Sequence, residues 1–257
     1  MRNLIFFFSA ICFISCNTKI PEGAIEEFSD DFEDYTDASE LVDAENIHWT
    51  EFNSNEINIS TSPFNIDTIT VHSGNQSVRF HCKQNDPALN EVCKCNLNKG
   101  NLYLKHGETI YFSAWYYLEH PTMDYGTFFV WDMEEIAAAV TGVRVMAWEE
   151  NLEFERNKMS LPNIFQDGDV TLFPINTWTH LEMEIKLSQY DNGSVKLWLD
   201  DALLIDKDNI RTMPKDIITL AWGSQGYYDR IQVGITAKNS TEELVLYVDD
   251  VEWKKLD

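Results

Sequence analysis

The chain has 257 residues, of which 44% are hydrophobic and 13% aromatic, and it carries a net charge of −24 at pH 7. This length allows one large β domain or two small ones. The acidic balance argues against nucleic acid as a partner and against direct binding to an anionic membrane, because like charges repel. A polyanionic ligand would need a local basic patch or a bound cation.

The N-terminal segment predicts export. Arg2 precedes an apolar run from Leu4 to Ile14, which has the length of a signal peptide and is too short to span a bilayer. We therefore assign residues 1–15 to a signal peptide. The following "FISC" resembles the lipobox of bacterial lipoproteins, with Phe13 where leucine is usual. This resemblance implies lipidation of Cys16, a tether over residues 16–27 and anchoring to the cell envelope at the outer membrane. Cleavage without a lipid is the alternative.

Three cysteines remain beyond this segment: Cys82, Cys93 and Cys95. In an oxidising compartment they predict one disulfide, between Cys82 and either Cys93 or Cys95, which would close the polar loop between them. A metal site at "CKC" is the rival interpretation, but no fourth ligand follows at zinc spacing.

Residues 28–257 predict a single domain of β-strands, most of which alternate apolar and polar residues with period two. Turn sequences such as Ser73-Gly74-Asn75 and Asp191-Asn192-Gly193-Ser194 separate them. The one helix-like piece is "EEIAAAV", directly after Met133. Many antiparallel strands in one domain of this size predict an all-β fold, a two-sheet antiparallel jelly roll.

Several stretches resemble known jelly rolls. "NTWTHLEMEIKLSQYDNGSVKLWLDDALLID", from Asn176 to Asp206, resembles paired strands of the concanavalin A-like sandwich, and particularly the heparin-lyase and glucuronan-lyase group of polysaccharide lyases. "SDDFED", "HSGNQSVRF" and "LYVDDVEW" resemble strands of carbohydrate-binding jelly rolls. The resemblance implies a concanavalin A-like sandwich that contacts glycan, whereas catalysis has to be argued from the site.

The carboxylates of "WDMEEI" suggest a glycosidase pair, since alternation puts Asp132 and Glu134 on the same side of a strand. Concanavalin-like glucanases carry Glu-x-Asp-x-x-Glu, and this pattern would place Val130 where the nucleophile belongs, beside Asp132 and Glu135. We therefore interpret the stretch as a partly solvated acidic strand end. The substitutions Asp132→Asn and Glu134→Gln are expected to leave any activity largely intact.

A lyase needs a group that neutralises the uronate carboxylate, a base and an acid. Arg79 and His81 project from one face of "SVRFHC", and the resemblance to jelly-roll lyases implies a tyrosine on a late strand, Tyr227 or Tyr228. These four residues are the candidate catalytic cluster. The alternative is that Arg79 and His81 are exposed strand residues paired with acids.

Glycan binding needs aromatic platforms beside hydrogen-bonding groups. Trp198 with Lys196, Trp148 with Arg144, and Gln232 are the candidates for ligand contact. A structural calcium is a further expectation, because the resemblance implies a cation bridging the first and last strands. Its ligands would be Asp31, Glu33 and Asp250. A solvated acidic edge is the competing interpretation.

Together these patterns favour an envelope-anchored protein that binds polysaccharide on a jelly-roll face. The first alternative is a polysaccharide lyase that cleaves a uronate-containing glycan by β-elimination, and the second is a structural envelope protein with no glycan ligand. Expected partners are polysaccharide and, through the lipid anchor alone, a membrane, but not nucleic acid. The oligomeric state stays open.

Overall fold

A computed structural model describes residues 25–43, 47–55, 63–82, 92–134, 142–148, 151–168, 173–215, 226–238 and 242–256. These residues form strands almost throughout, as the period-two alternation predicts. The strands are β1 (Glu27–Asp30), β2 (Glu51–Asn55), β3 (Phe64–Asp67), β4 (Ser77–Cys82), β5 (Val92–Lys99), β6 (Leu104–Lys105), β7 (Thr109–Glu119), β8 (Thr127–Glu134), β9 (Gly142–Trp148), β10 (Asn151–Glu155), β11 (Ile164–Phe165), β12 (Trp178–Lys186), β13 (Gly193–Leu199), β14 (Ala202–Ile210), β15 (Tyr227–Tyr228), β16 (Arg230–Lys238) and β17 (Leu244–Leu256). Short 3-10 turns cover Ala38–Glu40 and Asn157–Met159.

Two large sheets make up the domain. The first has the order β14-β13-β12-β7-β17-β4-β3, with β1 also paired to β17, and the second has the order β11-β10-β9-β8-β16-β5-β2. Every strand pairing in them is antiparallel. A small third sheet joins β6 and β15. The predicted all-β, two-sheet antiparallel jelly roll is confirmed.

The core lies between the two large sheets and follows from the alternation in their strands. On β12, for example, Leu181, Met183 and Ile185 are buried, whereas Glu182 and Glu184 alternate with them on the outer side. Phe112 of the first sheet meets Trp131 of the second, with ring centroids 5.6 Å apart. Burying large apolar side chains on both inner faces is what holds the sandwich together.

A β-bulge interrupts β8. Its register with β9 shifts between Phe129 and Trp131, which leaves Val130 as an extra residue on β8. Val130 and Trp131 both belong to the core, and Phe129 and Asp132 both lie on the opposite side. A bulge thus places residues of odd and even number on one face, which strict alternation cannot do.

Several predictions concern residues outside the described ranges. These are the signal peptide of residues 1–15, the lipidation of Cys16 with most of its tether, and the helical piece after Glu134. Within the described ranges, no helix has the length and apolar character needed to cross a membrane.

The predicted disulfide is not formed in this structure. Cys82, Cys93 and Cys95 all carry thiols and are all buried. Burial and a hydrogen bond with Cys93 raise the pKa of the Cys82 thiol, so these two cysteines lie side by side. Their proximity across the core is consistent with a Cys82–Cys93 bridge, which stays a prediction for the oxidised protein.

Candidate active site

The outer face of the second sheet, which points away from the core, is lined by polar side chains, most of which are nevertheless buried. We call it the polar face. One row of direct cross-strand neighbours crosses six strands of this sheet. From β2 to β10 the row consists of Glu51, Asn98, Gln232, Asp132, Arg144 and Glu155. Neighbouring strands are about 4.8 Å apart, so the row is about 24 Å long, a length suited to an extended oligosaccharide.

Arg144 is the cation at one end of this row, and two neighbours fix it. Its guanidinium donates to both carboxylate oxygens of Glu155, at 2.6 and 2.7 Å, and lies 3.9 Å above the ring of Phe129. Desolvation alone would lower the pKa of Arg144, but the bond to Glu155 and the negative charges of Asp132, Glu155 and Glu134 together outweigh it, and the pKa is raised. A paired, stacked guanidinium is a rigid fork suited to a planar carboxylate.

Asp132 and Glu134 stand on the same side of β8 and share one lysine. Lys158 Nζ donates to Asp132 Oδ2 at 2.9 Å and also to Glu134 Oε1. Burial raises the pKa of Asp132 to about 7, although Lys158 opposes the shift. A carboxyl group that titrates near neutrality can exchange protons at physiological pH.

Glu134 behaves differently because more cations surround it. It accepts from Arg230 Nη2 at 2.7 Å and from Gln232 Nε2 at 2.8 Å, in addition to Lys158. Burial raises its pKa, but Lys158 and Arg230 outweigh that effect and hold the pKa below its ordinary value. Glu134 therefore stays ionised and serves to orient its neighbours.

The strand β5 completes the polar face with three alternating side chains. Asn98 Nδ2 donates to Glu51 Oε2 at 3.0 Å, and Asn96 Nδ2 donates to Thr236 Oγ1 at 3.0 Å. Burial lowers the pKa of Lys94, the third of them. The face therefore combines amides and cations with its carboxylates.

A pocket of about 430 Å³ opens on this face at the Arg144 end of the row. Its polar lining includes Arg144, Lys238, Asn157, Asn163 and Thr236, and its apolar lining includes Phe129 and Met146. An apolar floor with a few convergent polar groups is the usual composition of a ligand site.

The interpretation of "WDMEEI" as a partly solvated strand end was wrong. Asp132 is 8% exposed and Glu134 is 2% exposed, and both are bound to cations on the polar face. Their shared side of the strand was predicted correctly. What the pattern did not reveal is that β8 lies in the middle of its sheet, where neighbouring strands supply Arg144, Arg230 and Gln232. The expectation that their substitution is harmless is therefore withdrawn.

The four residues of the predicted catalytic cluster do not come together on one sheet. Arg79 and His81 lie on the outer side of β4, in the first sheet, where His81 Nε2 is 3.0 Å from Glu243. Tyr227 and Tyr228 lie on β15, in the small third sheet. Tyr228 is fully buried and donates to the Thr212 carbonyl at 2.8 Å. The prediction of one cluster was wrong because it assumed that the strands carrying these residues are neighbours, whereas β4 and β15 belong to different sheets.

The candidate ligand-contact residues divide between the two sheets. Trp198 and Lys196 lie on β13, on the outer side of the first sheet, and Trp198 is the direct cross-strand neighbour of Glu182. Arg144 and Gln232 lie on the polar face of the second sheet. Trp148 ends β9, and its side chain lies outside the described part of the structure.

The residues predicted to hold calcium lie at the junction of the first and last strands. Glu33 accepts from the backbone of Asn75 and Gln76, and Asp250 accepts from Ser73 Oγ at 3.0 Å. Both carboxylates therefore hold the same turn. Asp31 lines a pocket together with Asp250. Ligand atoms of His72, Asp249 and Asp250 lie within 4.8 Å of one another, which makes this junction a candidate cation site.

Comparison with known proteins identifies the family. A family model described as polysaccharide lyase matches residues 43–252. The chain belongs to the polysaccharide lyase family. The predicted resemblance to jelly-roll lyases is confirmed. A search among curated proteins found no match.

Solved structures with the same fold as this polysaccharide lyase family member include an endo-β-1,4-glucuronan lyase from the fungus Trichoderma reesei. It is 11% identical, with 80% of this chain and 95% of that chain covered and a TM-score of 0.57. The alginate lyase Aly36B in complex with an alginate tetrasaccharide is 12% identical, with coverages of 91% and 98% and a TM-score of 0.59. The cellulose-induced protein Cip1 is 15% identical, with coverages of 88% and 96% and a TM-score of 0.57. At these identities the likeness shows the fold alone.

Proposed function

We propose that this protein is a lyase that cleaves a uronate-containing polysaccharide by β-elimination on the polar face. The observation that carries the proposal is the pair of direct neighbours Asp132 and Arg144, toward one end of a largely buried polar row, in a member of the polysaccharide lyase family. Structures of similar fold include a glucuronan lyase and an alginate lyase, which supports a uronate as the substrate class.

In this proposal Arg144 binds the uronate carboxylate. Elimination begins with removal of the proton alpha to that carboxylate, which spreads negative charge onto the carboxylate oxygens. The guanidinium is already held in place by Glu155 and Phe129, so little reorganisation is needed as the charge develops. Lys238 lines the same pocket and adds a second positive charge.

Asp132 is the proposed base. It is the direct cross-strand neighbour of Arg144, and its pKa of about 7 gives a basic carboxylate at neutral pH. The ionised form takes the proton from the carbon alpha to the uronate carboxylate. The electron pair of that C–H bond then forms the new carbon–carbon double bond as the glycosidic C–O bond breaks.

Lys158 is the proposed acid. Its ammonium group, 2.9 Å from Asp132, gives a proton to the leaving glycosidic oxygen. The proton that Asp132 took from carbon then passes to Lys158 through their hydrogen bond. This transfer restores both groups for the next turnover without a further reactant.

A non-catalytic glycan binder is the second candidate, and a specific observation favours it. Among the described strand residues of the polar face there is neither a tyrosine nor a histidine. These are the acids and bases that the sequence interpretation expected of a lyase. Either Asp132 and Lys158 replace them or the face binds glycan without cleaving it.

Ultraviolet absorbance decides between the two candidates. The domain from residue 20 onwards is mixed with a panel of uronate-containing polysaccharides, and absorbance is followed over time, since elimination creates an absorbing carbon–carbon double bond. Asp132→Asn is the inactive comparison, and Glu184→Gln, on the outer side of the first sheet, is the matched control. A rise that Asp132→Asn abolishes supports the lyase. A flat trace together with glycan retention on affinity gels supports the binder.

We also propose a structural calcium at the junction of β1 and β17. The carboxylates of Glu33 and Asp250 hold the turn from His72 to Gln76, and oxygen-rich groups of this kind are the ligands that calcium prefers. Calcium would cross-link the two ends of the domain. Its binding would thus stabilise the fold and take no direct part in the reaction.

We further propose that the protein is exported and anchored to the bacterial outer membrane by a lipid on Cys16. The support is the apolar run from Leu4 to Ile14 followed by the lipobox-like "FISC". Labelling of cells with a fatty-acid analogue tests this proposal. Incorporation that Cys16→Ala abolishes supports it, and a secreted, unlabelled protein contradicts it.

A further inference from the structure

Three acceptor oxygens of the polar face are buried without a hydrogen-bond donor among the described residues. They are Asn98 Oδ1, Gln232 Oε1 and Asp132 Oδ1. Their residues are direct cross-strand neighbours on β5, β16 and β8, so the oxygens belong to one continuous row. A buried acceptor without a donor is costly, so three in succession indicate a partner that supplies donors.

The orientation of the two amides follows from their partners. Asn98 Nδ2 donates to Glu51 Oε2 at 3.0 Å, and Gln232 Nε2 donates to Glu134 Oε2 at 2.8 Å. An ionised carboxylate only accepts, so turning either amide over would set oxygen against oxygen. The amide oxygens are therefore the atoms left for a ligand.

Asp132 supplies the third acceptor oxygen of the row. One of its oxygens accepts from Lys158, and the other accepts from a ligand whenever the group is ionised. Two of the nearby cations are already occupied, because Lys158 bonds to Asp132 and Glu134, and Arg230 bonds to Glu134. Arg230 Nε is buried without a partner among the described residues, and the ammonium group of Lys94 lies on the same face. The three acceptor oxygens are nevertheless consecutive in the row, so a group bound against them has to donate.

We infer that this part of the row, from Asn98 to Asp132, is a subsite for a non-anionic sugar that presents hydroxyl or amide N–H donors. It adjoins the subsite at Arg144, where, on the proposed function, the uronate binds. A hydroxyl group both donates and accepts, and so satisfies the acceptors and the donor. A carboxylate or sulfate only accepts and would face three acceptor oxygens. The preferred substrate is therefore a polysaccharide that alternates uronate with neutral sugar.

Two polysaccharides test this inference: a homopolymer of glucuronate, and a polymer that alternates glucuronate with a neutral hexose. Binding is measured by affinity gel electrophoresis, and cleavage by ultraviolet absorbance. The unaltered protein is expected to bind the alternating polymer at least about tenfold more tightly, since a glucuronate in this subsite brings a carboxylate, which cannot donate, where a neutral hexose brings a hydroxyl group. Gln232→Met keeps the approximate size of the side chain and removes both its oxygen and the amide N–H that donates to Glu134. It should weaken binding of the alternating polymer about tenfold and weaken binding of the homopolymer less.

Gln189→Met, in the loop after β12, is the matched control, and Asn98→Leu is the second test variant if Gln232→Met does not fold. Equal or tighter binding of the homopolymer overturns the inference while leaving the lyase intact. Tighter binding of the alternating polymer without cleavage of either polymer supports the subsite and counts against the lyase. Equal weakening of both polymers by Gln232→Met means that the side chain supports the whole face without selecting a neutral sugar, and overturns the inference. Binding of neither polymer overturns the subsite and the proposed function together.

Discussion

Lys158 Nζ lies 2.9 Å from Asp132 Oδ2 and binds Glu134 as well, so that one lysine joins both carboxylates of β8. Lys158 comes from a turn 24 residues beyond Glu134 in the chain, and it reaches the face across β9 and β10. The two carboxylates nevertheless differ in their ionisation. Burial raises the pKa of Asp132 to about 7, and the surrounding cations hold that of Glu134 below its ordinary value.

The first prediction concerns pH. If Asp132 is the base, its ionised form is the active one, so kcat/KM should rise as pH increases through about 7 and fall as the group is protonated below it. Asp132→Asn should lower kcat by roughly 10²–10⁴-fold, the usual contribution of a general base. Glu184→Gln should leave both the rate and the pH profile unchanged. A profile flat across neutrality would remove Asp132 from the reaction.

The second prediction concerns carboxylate binding. Arg144→Lys keeps the charge but loses the two-pronged bond to Glu155 and the stacking on Phe129, so KM for a uronate polymer should rise about tenfold or more. Arg79→Lys, the equivalent change on β4, should have no effect, because Arg79 lies on the other sheet. If Arg79→Lys is the damaging change, the reaction takes place on the first sheet.

The third prediction separates stability from catalysis at Tyr228. The hydroxyl of this fully buried residue donates to the Thr212 carbonyl, so Tyr228→Phe should lower the free energy of unfolding by about 1 kcal/mol. Urea denaturation measures the loss, and the rate of the folded variant should match that of the unaltered protein. A folded Tyr228→Phe without turnover would restore the tyrosine to the catalytic role that the resemblance implied.

The fourth prediction concerns calcium. Saturating calcium should raise the melting temperature relative to a chelator, because an ion bound only by the folded state adds about 2.7 kcal/mol at a hundred times its Kd. Glu33→Gln and Asp250→Asn should each abolish most of this increase. Asp206→Asn, on β14, is the control and should keep it. A melting temperature that is insensitive to calcium in the unaltered protein would leave a solvated acidic edge as the correct interpretation.

The fold could be predicted from the sequence because each strand shows by itself the alternation of apolar and polar residues. Leu181, Met183 and Ile185 identify the inner side of β12 without any knowledge of its neighbours. The site could not be predicted in the same way, because it depends on which strands are adjacent. Arg79 and His81 share a side of β4, yet β4 pairs with β17 and β3 in the first sheet, whereas β16 belongs to the second.

Two parts of the site were missed for local reasons. The strand β5, which supplies Asn98, has the sequence "VCKCNLNK", in which asparagines and lysines are residues that strands usually avoid. Its alternation of Cys93, Cys95 and Leu97 with polar residues was the signal that could have identified it. Lys158 gave no signal, because it lies in a 3-10 turn and its partners are more than 20 residues away.

The bulge at Val130 has a consequence for the mutations that this gene can tolerate. Deletion of the single codon for Val130 would remove the extra residue and restore strict alternation, because Phe129 on the outer side would then be followed by Trp131 on the core side. Asp132 and Glu134 would keep their places on the polar face, and the core would lose one valine side chain. Deletion of Met133 instead, beyond the bulge, would turn Glu134 toward the apolar core, because a shift of one residue exchanges the two sides of a strand.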